Sequence, residues 1–257
     1  MIAMMDSLRN ILVMIELEAR RIRHDRTELY VRAVQPVLWL VIYGSVMSSV
    51  KLIPTGGMSY IAYITPGVLL QSTAFVSIFF GLTIVWEKES GILKKLLVTP
   101  ASRYSIVIGR SMAAGVRSIL QAVIIIPIAM LIGVAFIPNP AYFILAFALI
   151  FLISAGFAAI SIFIASFLKT RERFMGIGQA ITFPLFFASN ALYPIELMPP
   201  LLKEFALVNP MSYAVDAIRG LLISGNISNL AFDISAITIF VVVMLAIASV
   251  SFKRIIE

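Results

Sequence analysis

The stretch SILQAVIIIPIAMLIGVAFIPNPAYFILAFALIFLISAGFAAISIFIASFL, from Ser118 to Leu168, carries no charged residue. A helix that crosses the hydrocarbon core needs about 20 predominantly apolar residues, so this stretch is long enough to cross twice. The break falls at Ile137-Pro138-Asn139-Pro140, where proline removes backbone donors and turns the chain. Two apolar helices joined by a tight turn are a membrane hairpin, and the fold class follows: an all-α integral membrane protein.

The rest of the chain repeats the pattern. Ala33 to Val50 is uncharged, as are Leu52 to Trp86, Phe174 to Ile195 and Ile234 to Phe252. In the second of these, Pro54, Gly56 and Gly57 mark a loop, which leaves about 60–85 as helix. The count expected is therefore six transmembrane helices. The whole chain of 257 residues is 61% hydrophobic and 13% charged, with a mean hydropathy of +1.02. Soluble domains carry about 45–50% apolar and 25% charged residues, so one water-soluble core cannot hide this excess.

The charges orient the spans. The N-terminal segment, 87–117, 169–173 and the C-terminal tail hold all of the 20 Lys and Arg except Lys51, Lys203 and Arg219. By the positive-inside rule that side is cytoplasmic, so a multi-pass protein of the cell membrane with both termini in the cytoplasm is expected. The net charge of +7 is thus read as topology and membrane-lipid contact, with no nucleic acid partner. There is no cysteine and one histidine, His24, so no metal site is expected. Residues 1–32 form a separate unit. Met4, Met5, Leu8, Ile11, Leu12, Ile15, Ala19 and Ile22 recur at helical spacing, as in an amphipathic helix lying on the cytoplasmic surface or packed on another protein. Residues 33–257 form the six-span domain.

Two segments between spans carry information. In the cytoplasmic loop of about 87–103, Ile92, Leu93, Leu96 and Leu97 make an apolar stripe flanked by Glu87, Glu89, Lys94 and Lys95, and Pro100 biases Thr99 out of a helix. This short helix either docks on a partner or packs on the span ends. In the external segment of about 195–229, Pro199-Pro200 opens a short apolar piece. Asn209-Pro210 then reads as an N-cap followed by proline at the first helical position. Asp216 and Arg219, three apart, can pair. Two short external re-entrant helices fit this pattern, near the mouth of a path.

No ionisable residue falls in the centre of any expected span, which argues against an ion-coupled carrier or a channel that works alone. No phosphate-binding loop and no hydrolase motif occurs, so the chain is read as a non-enzyme with no catalytic residue and no cofactor of its own. An apolar path lined by Tyr43, Gln71, Phe75, Phe79, Phe183, Phe187 and Asn190 would suit an amphiphilic molecule. Gly44, Gly67, Gly81, Ala155, Gly156 and Ala159 read as close helix packing.

Glu87-x-Glu89-x-Gly91, Leu96-Leu97-Val98-Thr99-Pro100 and Ser102-Arg103, followed after the fifth span by Ser189-Asn190-Ala191, Pro194, Pro199, Asn209-Pro210, Tyr213, Asp216 and Arg219, resemble the ABC-2 type permease family, most of all its daunorubicin-resistance-type drug exporters. The resemblance covers essentially the whole chain. It implies a cytoplasmic coupling helix around 87–103, carrying Glu87, Glu89, Gly91, Leu93, Leu96, Leu97, Thr99, Pro100 and Arg103. That helix would sit on a separate ABC ATPase subunit that binds ATP and Mg. It also implies a second permease copy, as in a homodimer, and export of a drug-like or lipid-linked substrate. Polysaccharide exporters are the related alternative.

Overall fold

The computed structural model describes residues 2–24, 27–50, 53–91, 103–168 and 170–255. The main helices are α1 (Ile2–His24), α2 (Thr27–Leu38), α3 (Ser45–Val50), α4 (Tyr60–Glu89), α5 (Arg103–Leu131), α6 (Pro140–Phe167), α7 (Arg171–Phe187), α8 (Pro200–Val208), α9 (Pro210–Arg219) and α10 (Leu230–Ser251). A π-helical segment, Trp39–Gly44, joins α2 to α3, and another, Gly220–Ser224, follows α9. Among the described residues there is no strand.

α4 is the axis. It starts where the Ser59 hydroxyl accepts the Ala62 amide, and it is buried along most of its length. A helix that is apolar on every face belongs in the interior. α5, α6 and α7 pack around it, and α10 lies on the outer side of α6. The hairpin break lies where the sequence places it. α5 ends at Leu131, and α6 starts with Asn139 as N-cap and Pro140 at the first position. Small residues let the helices close. A Cβ added at Gly81 would stand 2.5 Å from Ser161 Oγ on α6, and one at Gly156 would stand 2.6 Å from the Phe240 ring on α10. Ser77, Ser118 and Ser154 meet at the crossing of α4, α5 and α6, with Oγ separations of 2.7 Å and 2.9 Å to Ser154. Buried hydroxyls are thereby satisfied without a charge.

Three expectations change. Five helices are long and apolar enough to cross a membrane: Tyr30–Val50, Tyr60–Glu89, Tyr104–Leu131, Pro140–Phe167 and Leu230–Ser251. The run expected as a further span, 174–195, is covered by the 17-residue α7 and the turn after it. The helix stops because its last carbonyls find other donors. The Asn209 amide donates to Leu185 O at 2.7 Å and Ala188 O at 3.0 Å, and the Ser189 hydroxyl donates to Phe186 O.

Second, α5 begins at Arg103, so Arg110 and Arg117 sit on a continuous apolar helix rather than in a loop. Arg117, one residue before the uncharged run, is buried within that helix, whose candidate span extends back to Tyr104. It is tolerated there because Glu18 of α1, equally buried, pairs with it.

Third, α1 packs along α5, with Met14, Glu18 and Ile22 turned inward and Leu12 and Leu17 exposed. The close approach is at Gly109, where a Cβ would stand 2.6 Å from Met14 Sδ. The inward face therefore includes a carboxylate and is offset from the purely apolar stripe.

Candidate functional site

The polar cluster at the N-terminal end of α4 is built from segments far apart in sequence. Asn209 caps α9, its side chain accepting Met211 N–H at 3.0 Å, and Pro210 follows at the first helical position. That start turns Arg219 inward, with Asp216 three residues before it at the half-exposed edge of the cluster. Arg219 donates from Nη1 to Asp216 Oδ1 at 3.1 Å, and from Nη2 to the carbonyls of Asn190 at 2.7 Å and Tyr63 at 3.3 Å. Asn190 Nδ2 donates to the same Asp216 oxygen at 2.6 Å. Burial pushes the Asp216 carboxyl up from its ordinary value, against the pull of Arg219 and the Asn190 amide.

Asn190, Asp216 and Arg219 are thus brought together, and Asn209 braces the end of α7. Pro194 and Pro199 only flank the short helices Ile195–Leu197 and α8. Tyr213 faces away from the cluster, its hydroxyl donating to Leu207 O and its ring 5.6 Å from Phe232. Sequence reading missed the two tyrosines of α4. The Tyr63 ring lies 4.0 Å from the Arg219 guanidinium carbon, a cation–π contact, and the Tyr60 hydroxyl donates to Leu192 O at 3.0 Å. Gly67 completes the join, since a Cβ there would stand 2.6 Å from that of Ala191.

At the opposite end of α4, two carboxylates reach neighbouring helices. Glu87 Oε2 accepts Arg110 Nη2 of α5 at 2.5 Å, and Glu89 Oε2 accepts Arg171 Nε of α7 at 2.7 Å. Gly91 then takes a left-handed backbone with φ of 72°, the usual way past a helix C-terminus. Leu93, Leu96, Leu97, Thr99 and Pro100 lie outside the described residues, and Arg103 opens α5.

Between the two ends runs a groove of about 330 Å³ bounded by α2, α4 and α7, lined by Gln71, Phe75 and Phe79 of α4 with Gln35, Arg32 and Gln179. Phe75 and Phe79 stack at 5.8 Å, and Phe183 of α7 meets Phe75 at 5.7 Å. The aromatic row continues through Phe187 to Trp39 at 6.3 Å and then to Tyr43 at 4.9 Å. The aromatic residues expected from the sequence to line a path therefore form one connected row, although Tyr43, Phe183 and Phe187 lie beyond the groove wall and Asn190 belongs to the polar cluster. Gln71 is 3% exposed, and its amide nitrogen has no hydrogen-bond partner. An apolar slot with an idle buried donor suits a molecule that is apolar in body and carries an acceptor. Among the described residues no group of three His, Cys, Asp or Glu could hold a metal.

Several long apolar helices, packed on one another through glycine and serine, make this a multi-pass integral membrane protein. The chain belongs to the ABC-2 type transporter family, whose model matches residues 9–223. It is 28% identical to a putative transport permease, ycf38, of Cyanophora paradoxa, over 87% of this chain and 80% of the relative. It is 24% identical to a probable doxorubicin resistance ABC transporter permease protein, DrrC, of Mycobacterium tuberculosis, over 75% and 69%. Nodulation protein J of Rhizobium leguminosarum bv. viciae is 22% identical over 77% and 76%. The chain is thus a transport permease, the membrane component of an ABC transporter.

Proposed function

We propose that this chain is the permease subunit of an ABC exporter that moves an amphiphilic, drug-like or lipid-linked molecule across the cytoplasmic membrane, driven by a separate ATPase subunit that binds ATP and Mg. The observation that carries this reading is the pair of ion contacts at the end of α4. Glu87–Arg110 and Glu89–Arg171 tie the last turn of α4 to α5 and α7. A push delivered to that turn reaches α4 and α7 together, the two helices that carry the stacked phenylalanines. Leu93, Leu96 and Leu97 would fill an apolar pocket on the ATPase.

In this reading α7 and the turn after it make the sixth crossing. Its 17 residues stand at the lower limit for a spanning helix, and the sixth crossing returns the C-terminus to the Arg-rich cytoplasmic side. α8 and α9 form the external re-entrant cap, and a second permease copy completes the path. A lipid-linked glycan is the alternative cargo, favoured by the three amides, Gln35, Gln71 and Gln179, that face the groove beside the phenyl rings.

The test is reconstitution. Co-expressed with a P-loop ATPase in proteoliposomes, the chain should support vanadate-sensitive export, and Leu96→Asp with Leu97→Asp should abolish ATPase co-purification while membrane insertion persists. Transport without any ATPase, or assembly retained by that double variant, would overturn the reading.

A further inference from the structure

Beside the Arg219 cluster, a polar cavity of about 290 Å³ lies between α9, the loop after it and the start of α10. Asp216, Arg219, Ser224, Asn226, Asn229 and Asp233 line it. Asp233, in the first turn of α10, is only 5% exposed. Among the described residues nothing donates a hydrogen bond to its carboxylate or forms an ion pair with it. Arg219 is the one cation lining the cavity among those residues, and its nitrogens are spent elsewhere. Nη1 serves Asp216 Oδ1, Nη2 serves the Asn190 and Tyr63 carbonyls, and Nε serves Tyr63 O at 3.4 Å. Two carboxylates against one guanidinium leave one negative charge over. The start of α10 offsets part of that charge, but supplies none of the donors that a buried carboxylate needs.

The wall around Asp233 is fixed and rich in oxygen. Gly225 has a left-handed backbone with φ of 72°, and its amide donates to Gly220 O at 2.9 Å. The loop closes so tightly there that a Cβ on Gly220 would stand 2.5 Å from Asn226 O. Asn226 Oδ1 accepts both the amide and the hydroxyl of Ser228, and Ser224 Oγ accepts Asn226 N–H. Asn229 stands at the N-cap of α10, a position its side chain suits, yet it makes no cap bond. Its amide is left to the cavity. Carboxylate, amide and hydroxyl oxygens are hard donors that suit an alkali ion, and they equally accept from an ammonium group. A surplus of one negative charge matches one positive charge better than two.

We propose that this cavity binds one compact monovalent cation, an alkali-metal ion or the ammonium group of a small amine, against Asp233 with Asn229 beside it. Bound there, the cation ties α10 to the loop and to α9. The site is separate from the aromatic groove, and filling it needs neither ATPase nor cargo. It therefore stands or falls apart from the exporter reading.

The test uses the purified full chain in detergent, at constant ionic strength and at a mildly alkaline pH where carboxylic acids are ionised. Sodium, methylammonium or calcium chloride replaces the salt of the bulkier N-methylglucamine. Sodium or methylammonium should raise the thermal midpoint with saturation, and calorimetric titration should give one site. Whichever binds more tightly identifies the ligand as metal ion or amine. Asp233→Asn, which keeps the shape and removes the charge, should weaken binding at least roughly tenfold. Asn229→Ala, which takes away no cap bond, should weaken it roughly threefold. Glu204→Gln, at an exposed acid of α8 outside the cavity, should leave it unchanged. Circular dichroism of each variant separates lost binding from lost folding. No saturable response to either monovalent ion by the folded chain would overturn the proposal, since a proton alone would then satisfy Asp233. Binding unmoved by Asp233→Asn would overturn it as well. Calcium saturating at a concentration roughly a hundredfold below sodium would overturn it in favour of a divalent site.

Discussion

At one end of α4, Arg219 directs its donors chiefly onto the main-chain carbonyls of Tyr63 and Asn190. At the other, Glu87 and Glu89 meet Arg110 and Arg171 through side chains alone. The first arrangement is closed around its arginine. Arg219 is 7% exposed and its ring partner is stacked on it, while Asp216, with 46% of its side chain exposed, is held by Asn190 at the rim. The second is graded: the Arg110 and Glu87 side chains are 11% and 20% exposed, while Arg171 and Glu89 are 50% and 30% exposed. Main-chain partners cannot swing away without unwinding a helix or a turn, whereas side-chain partners can trade. A permease driven from one side needs this asymmetry, one end that holds its shape and one whose contacts can be exchanged.

The comparison breaks most visibly at Arg219. Arg219→Met leaves the Asn190 and Tyr63 carbonyls without their donor, while half-exposed Asp216 keeps Asn190 and water, so a loss of about 2–4 kcal/mol is expected, read as a lower folded yield in detergent. Arg219→Lys should recover only part, since a point charge cannot serve three acceptors in a fork. Next in size is Gly67→Leu. With no space beside Ala191, the side chain must push the 188–192 turn away from α4, at a cost of about 1–3 kcal/mol, visible as a lower thermal midpoint. Asn209→Ala removes both the α9 cap and two bonds to the end of α7, and should cost about 1–2 kcal/mol.

These sites differ in how far they could be read from the sequence. The Asn209-Pro210 cap and the Asp216–Arg219 pair are local, three residues or fewer apart, so helix geometry alone predicts them. The contacts that make them a lock are not local: Tyr63 lies 156 positions from Arg219, and nothing in the spacing joins them. The long apolar helices were legible because a hydrocarbon surround forbids charge, and uncharged runs therefore mark α4, α6 and α10. The same rule misled at Arg110 and Arg117. The positive-inside count reads each as a topology determinant in a cytoplasmic loop, whereas both lie on α5 and pair with Glu87 and with Glu18, the latter 99 positions away. At 174–195 the absence of charge marks the segment but says nothing about helix length. Asn209 draws off the carbonyls of α7 and ends the helix at Phe187.

The smallest expected effect on stability is the one that bears most on mechanism. Glu89→Gln removes a charge from a pair that is half in water, and such pairs contribute about 0–1 kcal/mol. The thermal midpoint of the purified chain should hardly move. Coupled transport should fall much further, because Glu89 is the last residue of α4 and its pair with Arg171 is the direct link from that point to α7. Charge reversal on both partners, Glu89→Arg with Arg171→Glu, keeps the link and should restore vanadate-sensitive transport that either single change removes. A double variant no better than the singles would mean that Glu89 acts on something other than α7. The exchangeable end of α4 would then be set by Glu87 and Arg110 alone, and the contrast with the Arg219 lock would narrow to the more buried of the two pairs.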